Sequence, residues 1–425
     1  MQLSPPLTCK ESTSDSWKQE LLHSYTSPND LLQAGLITLE EASHLEKLSM
    51  KFTGEFHGEF KKEFKDEFKI RITPYYGKLI QPSKHCPIRA QAIPHLLEKD
   101  PSLPAWAIKL SQKIYGRPTP WHPDAIGDVR HSASPRLTHR YQNRAILHLT
   151  SLCAVHCRFC FRKSHLSGHE KALYEGTLEA AFLYLKNTPE IRELILTGGD
   201  PLSITDSALA LLLGRISKIP HIRTVRIHSR MTATLPHRFT DALMECLSQN
   251  WGFQLVLVSH FNHPIEITER VRQAFTNLKK TGVTLLNQSV LLRGVNDSVE
   301  SLKNLFIGLY EMGVLPYYLH HPDWTPGTFH FRISIEKGRN LVSQLRGQLP
   351  GPALPDYVLD IPQGFGKISL LGSEIKKIKD LPVKKKCKEI AEKTTVSPLE
   401  GAIYEITSPA TRTQESSKKL YLDLF

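Results

Sequence analysis

The chain has 425 residues, 40% of them hydrophobic, enough for one large α/β domain with extensions or for two to three smaller domains. Its formal charge of +12 favours small anionic ligands such as phosphate and carboxylate groups; outside Lys376–Lys379 and Lys384–Lys388 it is spread out, and no basic face interleaved with aromatics argues for nucleic acid. No apolar run is long enough to span a bilayer, and Lys10, Glu11, Asp15 and Lys18 exclude a signal peptide; seven cysteines, several of them clustered, do not make a disulfide framework, so a reducing cytoplasm is expected.

Residues 1–30 are rich in Ser, Thr and Pro and are expected to be poorly ordered. A helical region is expected over 31–135. Within it Phe52, Phe56, Phe60, Phe64 and Phe68 recur every fourth residue, a stripe that reads best as a packing face of a helix. From residue 145 short apolar runs alternate with helical stretches. Strands are expected at Ala145–Thr150, Glu193–Thr197, Thr224–Ser229, Phe253–Ser259, Thr284–Leu291 and Leu315–Leu319, spaced by roughly thirty residues, the rhythm of βα units around a parallel sheet. Polar or glycine-rich residues follow each run: Cys153–Cys160, Gly198–Asp200, Arg230, His260–His263, Arg293–Asp297 and His320–Asp323. In parallel α/β folds the active site lies beyond the C-terminal ends of the strands, so these segments converge on one rim of a barrel-like enzyme. A further extended run, Tyr357–Ile361, leads into Pro362–Lys367. The last fifty residues are polar, lysine-rich and weakly patterned.

Cys153, Cys157 and Cys160 have the spacing C-x₃-C-x₂-C directly after the first strand. Thiolates this close on one loop can wrap an iron–sulfur cluster, and three of them leave one iron of a four-iron cubane open for a small ligand. Zinc is the alternative, with His156 as a fourth ligand inside the same loop. At the next strand end stands Gly198–Gly199–Asp200–Pro201, where glycine permits close backbone approach.

The loop Cys153–Ala–Val–His–Cys–Arg–Phe–Cys160 resembles the signature of the radical S-adenosylmethionine (SAM) superfamily. That resemblance implies a partial (βα)6 barrel, with a [4Fe–4S] cluster on the three cysteines and SAM chelated by the open iron. It also implies SAM contacts at Gly198, Gly199 and Asp200. Further segments are similar to lysine 2,3-aminomutases: Leu137–Tyr141 with Arg144, His260–Pro264, Asn287–Asp297, Pro316–Tyr318 and His330–Arg332. The similarity spans roughly residues 70–370, with the barrel over 136–350 and a C-terminal segment, 351–425, carrying the cofactor lysine.

These enzymes combine SAM with pyridoxal 5'-phosphate (PLP). The family's PLP lysine lies in a turn P-G-G-G-G-K, and Pro362–Gln–Gly–Phe–Gly–Lys367 occupies its place, with Gln363 and Phe365 for two glycines. A lysine amine is the required chemistry for holding PLP covalently. The resemblance further implies Arg140 and Arg144 at the PLP phosphate, Tyr141 against its ring and Gln288 at the cofactors. It places Arg162 at the substrate α-carboxylate, and Asp323 and Asp360 at the ε-ammonium of L-lysine. Two buried carboxylates need a cation between them, which a lysine side chain supplies. The implied reaction moves the α-amino group of lysine to Cβ.

Known members join subunits through zinc held by a cysteine near the Gly-Val-Asn-Asp segment and three near the C-terminus. Here Ser298 follows Asp297 and Cys387 is the sole C-terminal cysteine, so no such zinc is expected, while a homo-oligomer stays open. An electron donor such as flavodoxin or ferredoxin is implied. Competing readings are β-lysine synthesis for elongation factor P modification, action on another amino acid such as arginine, and an iron–sulfur or zinc module without turnover.

Overall fold

The computed structural model describes residues 16–51, 69–166, 173–381 and 399–425. Ten strands form one sheet in chain order: β1 (Ser132–Ser134), β2 (Leu137–Tyr141), β3 (Arg144–Thr150), β4 (Glu193–Gly198), β5 (Thr224–Ser229), β6 (Gln254–His260), β7 (Thr284–Val290), β8 (Leu315–His320), β9 (Asp356–Asp360) and β10 (Lys367–Ser369). From β3 to β9 every neighbour is parallel; β1, β2 and β10 pair antiparallel at the two edges. No pairing joins β10 back to β1, so the sheet is an open, partial barrel. The expected six strands are present, and the extended run at 357–361 is a seventh parallel strand, β9, in the same sheet.

The strands are apolar because helices cover the outer face of the sheet. Those helices start on hydroxyl caps: Thr205, Thr240, Thr268, Ser298 and Ser334 each accept a backbone N–H of the first turn. Ser298, which occupies the region of the family's zinc-ligating cysteine, thus opens the helix Val299–Glu311. Cys387 lies outside the described residues.

The N-terminal region is helical, with Pro28–Gln33, Leu39–Lys51, Pro87–Ala92 and Ala105–Tyr115 among its elements. Part of the stretch expected to lack order is a helix, Ser16–Leu22, whose Trp17 and Leu21 are buried in the main core, a signal that the Ser/Thr/Pro composition around it obscured. Residues 1–15 and the phenylalanine stripe at 52–68 lie outside the described residues. Leu31, Ile37, Leu45, Ile72, Tyr76 and Ile88 form a second apolar cluster, and Val155 of the cysteine loop is buried in it. Burying one valine is worth about 1.5–3 kcal/mol, so the N-terminal region seats that loop.

The C-terminal segment adds a three-stranded antiparallel sheet, β11 (Ile375–Leu381), β12 (Gly401–Ser408) and β13 (Ser417–Leu424). Tyr404, Ile406, Tyr421, Leu422 and Leu424 join the main core from it, and the Leu422 N–H donates to the Tyr115 hydroxyl at 3.0 Å. Among the described residues no helix is long and apolar enough to cross a membrane.

Candidate active site

The C-terminal ends of the parallel strands surround a cavity of about 780 Å³. The residues that the resemblance placed at the cluster, cofactors and substrate all line it: Cys153, Cys157, Cys160, Arg162, Gly198, Gly199, Asp200, Gln288, Arg140, Tyr141, Arg144, Asp323, Asp360 and Lys367. That volume falls in the range of cofactor-binding clefts.

At one end stand the three thiols on the loop after β3. Burial, with repulsion from the neighbouring thiols, pushes Cys153 far above the usual thiol range, and burial with Cys157 beside it raises Cys160 to about 11. Such thiols ionise only when a strong Lewis acid arrives, which fits an iron–sulfur donor set. His156 does not line the cavity; it hydrogen-bonds the backbone at Lys69, and burial lowers its pKa to about 4. The loop is anchored from behind. Buried Arg158 donates to both oxygens of Glu98 at 2.7 and 2.5 Å, and Lys163 adds a contact at 3.3 Å. Arg230, after β5, donates to Cys157 Sγ at 2.6 Å and to Glu266, Tyr76 and Gln91 at 2.8, 3.0 and 2.7 Å. Sequence analysis marked Arg230 as a rim residue but gave it no task.

Gly198 and Gly199 are required by the protein itself. Gly198 has φ +123°, and a Cβ on either residue would collide with backbone at Thr150–Leu152; Gly199 N–H donates to the Thr150 carbonyl at 2.5 Å. Close approach to a ligand is therefore not their sole reason. Asp200, expected at SAM, uses its carboxylate locally, accepting from Ser229 Oγ (2.7 Å) and from the Arg230, Met231 and Leu202 N–H groups (2.7, 3.2 and 3.0 Å). It ties the ends of β4 and β5 together beside the cysteine loop.

At the other end Lys367 ion-pairs with Asp360 and lies 3.3 Å from His320 Nδ1, and its backbone N–H donates to the Tyr141 hydroxyl at 2.9 Å. The altered turn before it is explained by its backbone. Gln363 sits at φ +67°, where the family has glycine, at a cost of about 1–2 kcal/mol, and its side chain donates to the Tyr115 carbonyl. Phe365 has φ −77°, which any residue adopts, and its ring lies under Arg130 and Lys419. Gly364 and Gly366 keep positive φ and leave no room for a Cβ against His131 and Pro409.

Asp323 and Asp360 act on one another. Burial, and then the Asp360 charge, raises Asp323 to about 8; burial also opposes the Asp360 charge, but Lys367, His320 and Arg140 hold that carboxyl well below its ordinary range. No hydrogen bond from a described residue reaches the Asp323 carboxylate. Asp128, which sequence analysis missed, links the two arginines. Its Oδ2 accepts from Arg162 Nε and Nη2 at 3.1 and 2.8 Å and its Oδ1 from Arg140 at 3.3 Å. Arg162 also donates to Thr197 at 3.2 Å. Arg144 stacks on the Tyr141 ring at 3.8 Å. Around the cavity Arg140 Nε, Arg226 Nε, Arg230 Nε, His228 Nε2 and His320 Nε2 are buried without a hydrogen-bond partner among the described residues. Polar atoms of this kind call for ligand atoms, and they fit cofactors rich in phosphate, carboxylate and ring oxygens.

An open parallel barrel with three rim cysteines defines the class, and residues 147–306 match the radical SAM superfamily. The chain is 38% identical over 301 residues to the L-lysine 2,3-aminomutase of Clostridium subterminale, covering 71% of this chain and 68% of that one. It is 43% identical over 234 residues to the L-lysine 2,3-aminomutase of Escherichia coli (strain K12), covering 55% and 68%. A glutamate 2,3-aminomutase of Clostridioides difficile (strain 630) is 32% identical over 369 residues, covering 86% and 79%. The chain belongs to the lysine 2,3-aminomutase family of radical SAM enzymes. It is an aminomutase, an isomerase, that works with a [4Fe–4S] cluster, SAM and PLP.

Proposed function

We propose that the substrate is L-lysine and the product β-lysine. The charge balance of the cavity carries this reading. Asp360 is matched by Lys367, with Arg140 3.9 Å away and shared with Asp128, whereas Asp323 has no ion-pair partner among the described residues and keeps its proton to about pH 8. The ε-ammonium of lysine supplies the missing charge. At Asp128 the imbalance is reversed, since one carboxylate is shared by Arg140 and Arg162. An α-carboxylate beside Arg162, and the PLP phosphate near Arg140 and Arg144, offset that excess positive charge. The glutamate aminomutase among the relatives makes glutamate the competing substrate. A second carboxylate at Asp323 and Asp360 would meet like charge in a dry site, which favours lysine.

Cys153, Cys157 and Cys160 would hold the cluster, Gly199 and Gln288 would border SAM, and Lys367 would hold PLP covalently with Tyr141 beside it. When bound, the cluster and SAM supply a carbon radical, and PLP supplies a conjugated ring system that eases migration of the nitrogen from Cα to Cβ. The side chains fix both ends of the substrate, so that one Cβ hydrogen faces the radical source. The test is turnover. Protein reconstituted anaerobically with iron, sulfide and PLP is given SAM, a reductant and L-lysine, and the amino acids are followed by NMR. β-Lysine is expected; SAM cleavage with lysine unchanged would remove lysine as the substrate.

A further inference from the structure

The last strand of the chain is a hundred residues in sequence from Asp323, yet one buried arginine joins them. Arg332 is fully buried. On the β13 side it donates to Asp423 Oδ1 at 3.2 Å, the Tyr421 hydroxyl at 2.9 Å and the Leu424 carbonyl at 3.2 Å. On the other side it donates to the Pro322 carbonyl at 2.5 Å and to His321 Nε2 at 3.0 Å, the two residues immediately before Asp323. Trp324, immediately after, lies under the guanidinium at 3.5 Å. The second oxygen of Asp423 accepts the Ile335 N–H at 2.9 Å and so fixes the start of the helix Ile335–Leu345. His321 completes the link to the other acid: its Nδ1 bonds the Tyr357 hydroxyl at 2.8 Å and its backbone N–H the Val358 carbonyl at 2.7 Å, both on β9, the strand that ends in Asp360.

A fully desolvated Arg–Asp pair is an inefficient source of stability, because the cost of leaving water offsets the attraction. What this pair supplies is orientation. A planar fork with its far side fixed on β13 can hold the peptide that leads into Asp323 in one place.

We propose that the C-terminal sheet is a positioning element for the substrate cation: Asp423 and Arg332, acting through His321–Trp324, set Asp323 against Asp360. This rests on the reading that those two acids bind the ε-ammonium of lysine. Selectivity for a cationic side chain then depends on a strand that touches no substrate.

The test uses the full-length reconstituted enzyme. Asp423→Asn keeps the shape of the side chain and an acceptor for Ile335 but removes the charge. The KM for L-lysine is expected to rise roughly tenfold, with the KM for SAM, the PLP absorbance and the iron content unchanged. Tyr421→Phe, which removes one neutral partner of Arg332, is expected to move the lysine KM the same way by a smaller factor, and it serves if Asp423→Asn fails to fold. In an Asp323→Asn background neither change should raise KM further, because all three act at one point. An unchanged lysine KM in folded variants, with only the melting temperature lowered, would overturn the inference, as would full additivity with Asp323→Asn. If the unaltered enzyme leaves lysine untouched, the substrate reading falls first and this inference with it.

Discussion

The two ends of the cavity are built by different strategies. The cysteine end is local: three cysteines stand on one eight-residue loop after β3, seated by the N-terminal apolar cluster and by the Glu98–Arg158 pair. The acid end is assembled at long range, with Arg140 and Tyr141 from β2, Asp323 from beyond β8, Asp360 from β9 and Lys367 from β10. Their electrostatics differ as well. Burial pushes the Cys153 and Cys160 thiols above their usual range, whereas at the other end it splits two like acids into one charged and one protonated group beside the Lys367 ammonium. A local site survives disturbance elsewhere. A distributed one depends on the geometry of the whole sheet.

Substitutions that disable one end and spare the other break the comparison most sharply. Cys157→Ala is expected to abolish bound iron and turnover while the PLP absorbance remains. Lys367→Ala is expected to lower turnover on the order of a thousandfold or more and to remove that absorbance, while iron content and reductive SAM cleavage persist. Either variant losing both signals would mean that the ends are not separate. Asp128→Asn comes next in size, because it leaves Arg140 and Arg162 without their shared carboxylate. A fall in kcat/KM of about a hundredfold is expected, with lysine and PLP affinity both affected and the cluster spectrum intact.

The smallest effect is a pH dependence confined to the acid end. Asp323 holds its proton to about pH 8 in the free enzyme, and an arriving ε-ammonium favours the deprotonated form. The proton must therefore leave as lysine binds. The lysine KM is expected to rise as pH falls below 8, by up to about tenfold per unit, and to level off above it. Asp323→Asn should flatten this profile. A slope that survives in that variant would assign the titration to another group.

This contrast also explains what could be read in advance. The cysteine loop and the parallel strands were legible because their signals are contiguous, and the observed strands lie within a residue or so of those expected. Lys367, Asp323 and Asp360 were reached by resemblance, since nothing local marks one lysine or aspartate among many. Asp128 escaped because it stands in an irregular stretch without periodicity, and its meaning comes from two arginines brought in from elsewhere. Arg230 was seen at the rim, but its bond to Cys157 needs the fold. The C-terminal sheet stayed hidden because the first half of β13, Ser417–Leu420 with its two lysines, alternates between half-buried and exposed, and only the last four residues are buried. Gln363 shows the reverse case: a departure from the family's glycine, visible in the sequence, is accommodated by a left-handed backbone and a side-chain hydrogen bond.

The most direct test of the central claim, that Asp360 and the unpaired Asp323 select a cationic amino acid, is the ratio of kcat/KM for L-lysine to that for L-glutamate, with norleucine as the uncharged control, in the reconstituted enzyme. Lysine is predicted to lead both by on the order of a thousandfold or more. Glutamate turned over as well as lysine, or norleucine approaching it, would contradict the assignment of Asp323 and Asp360.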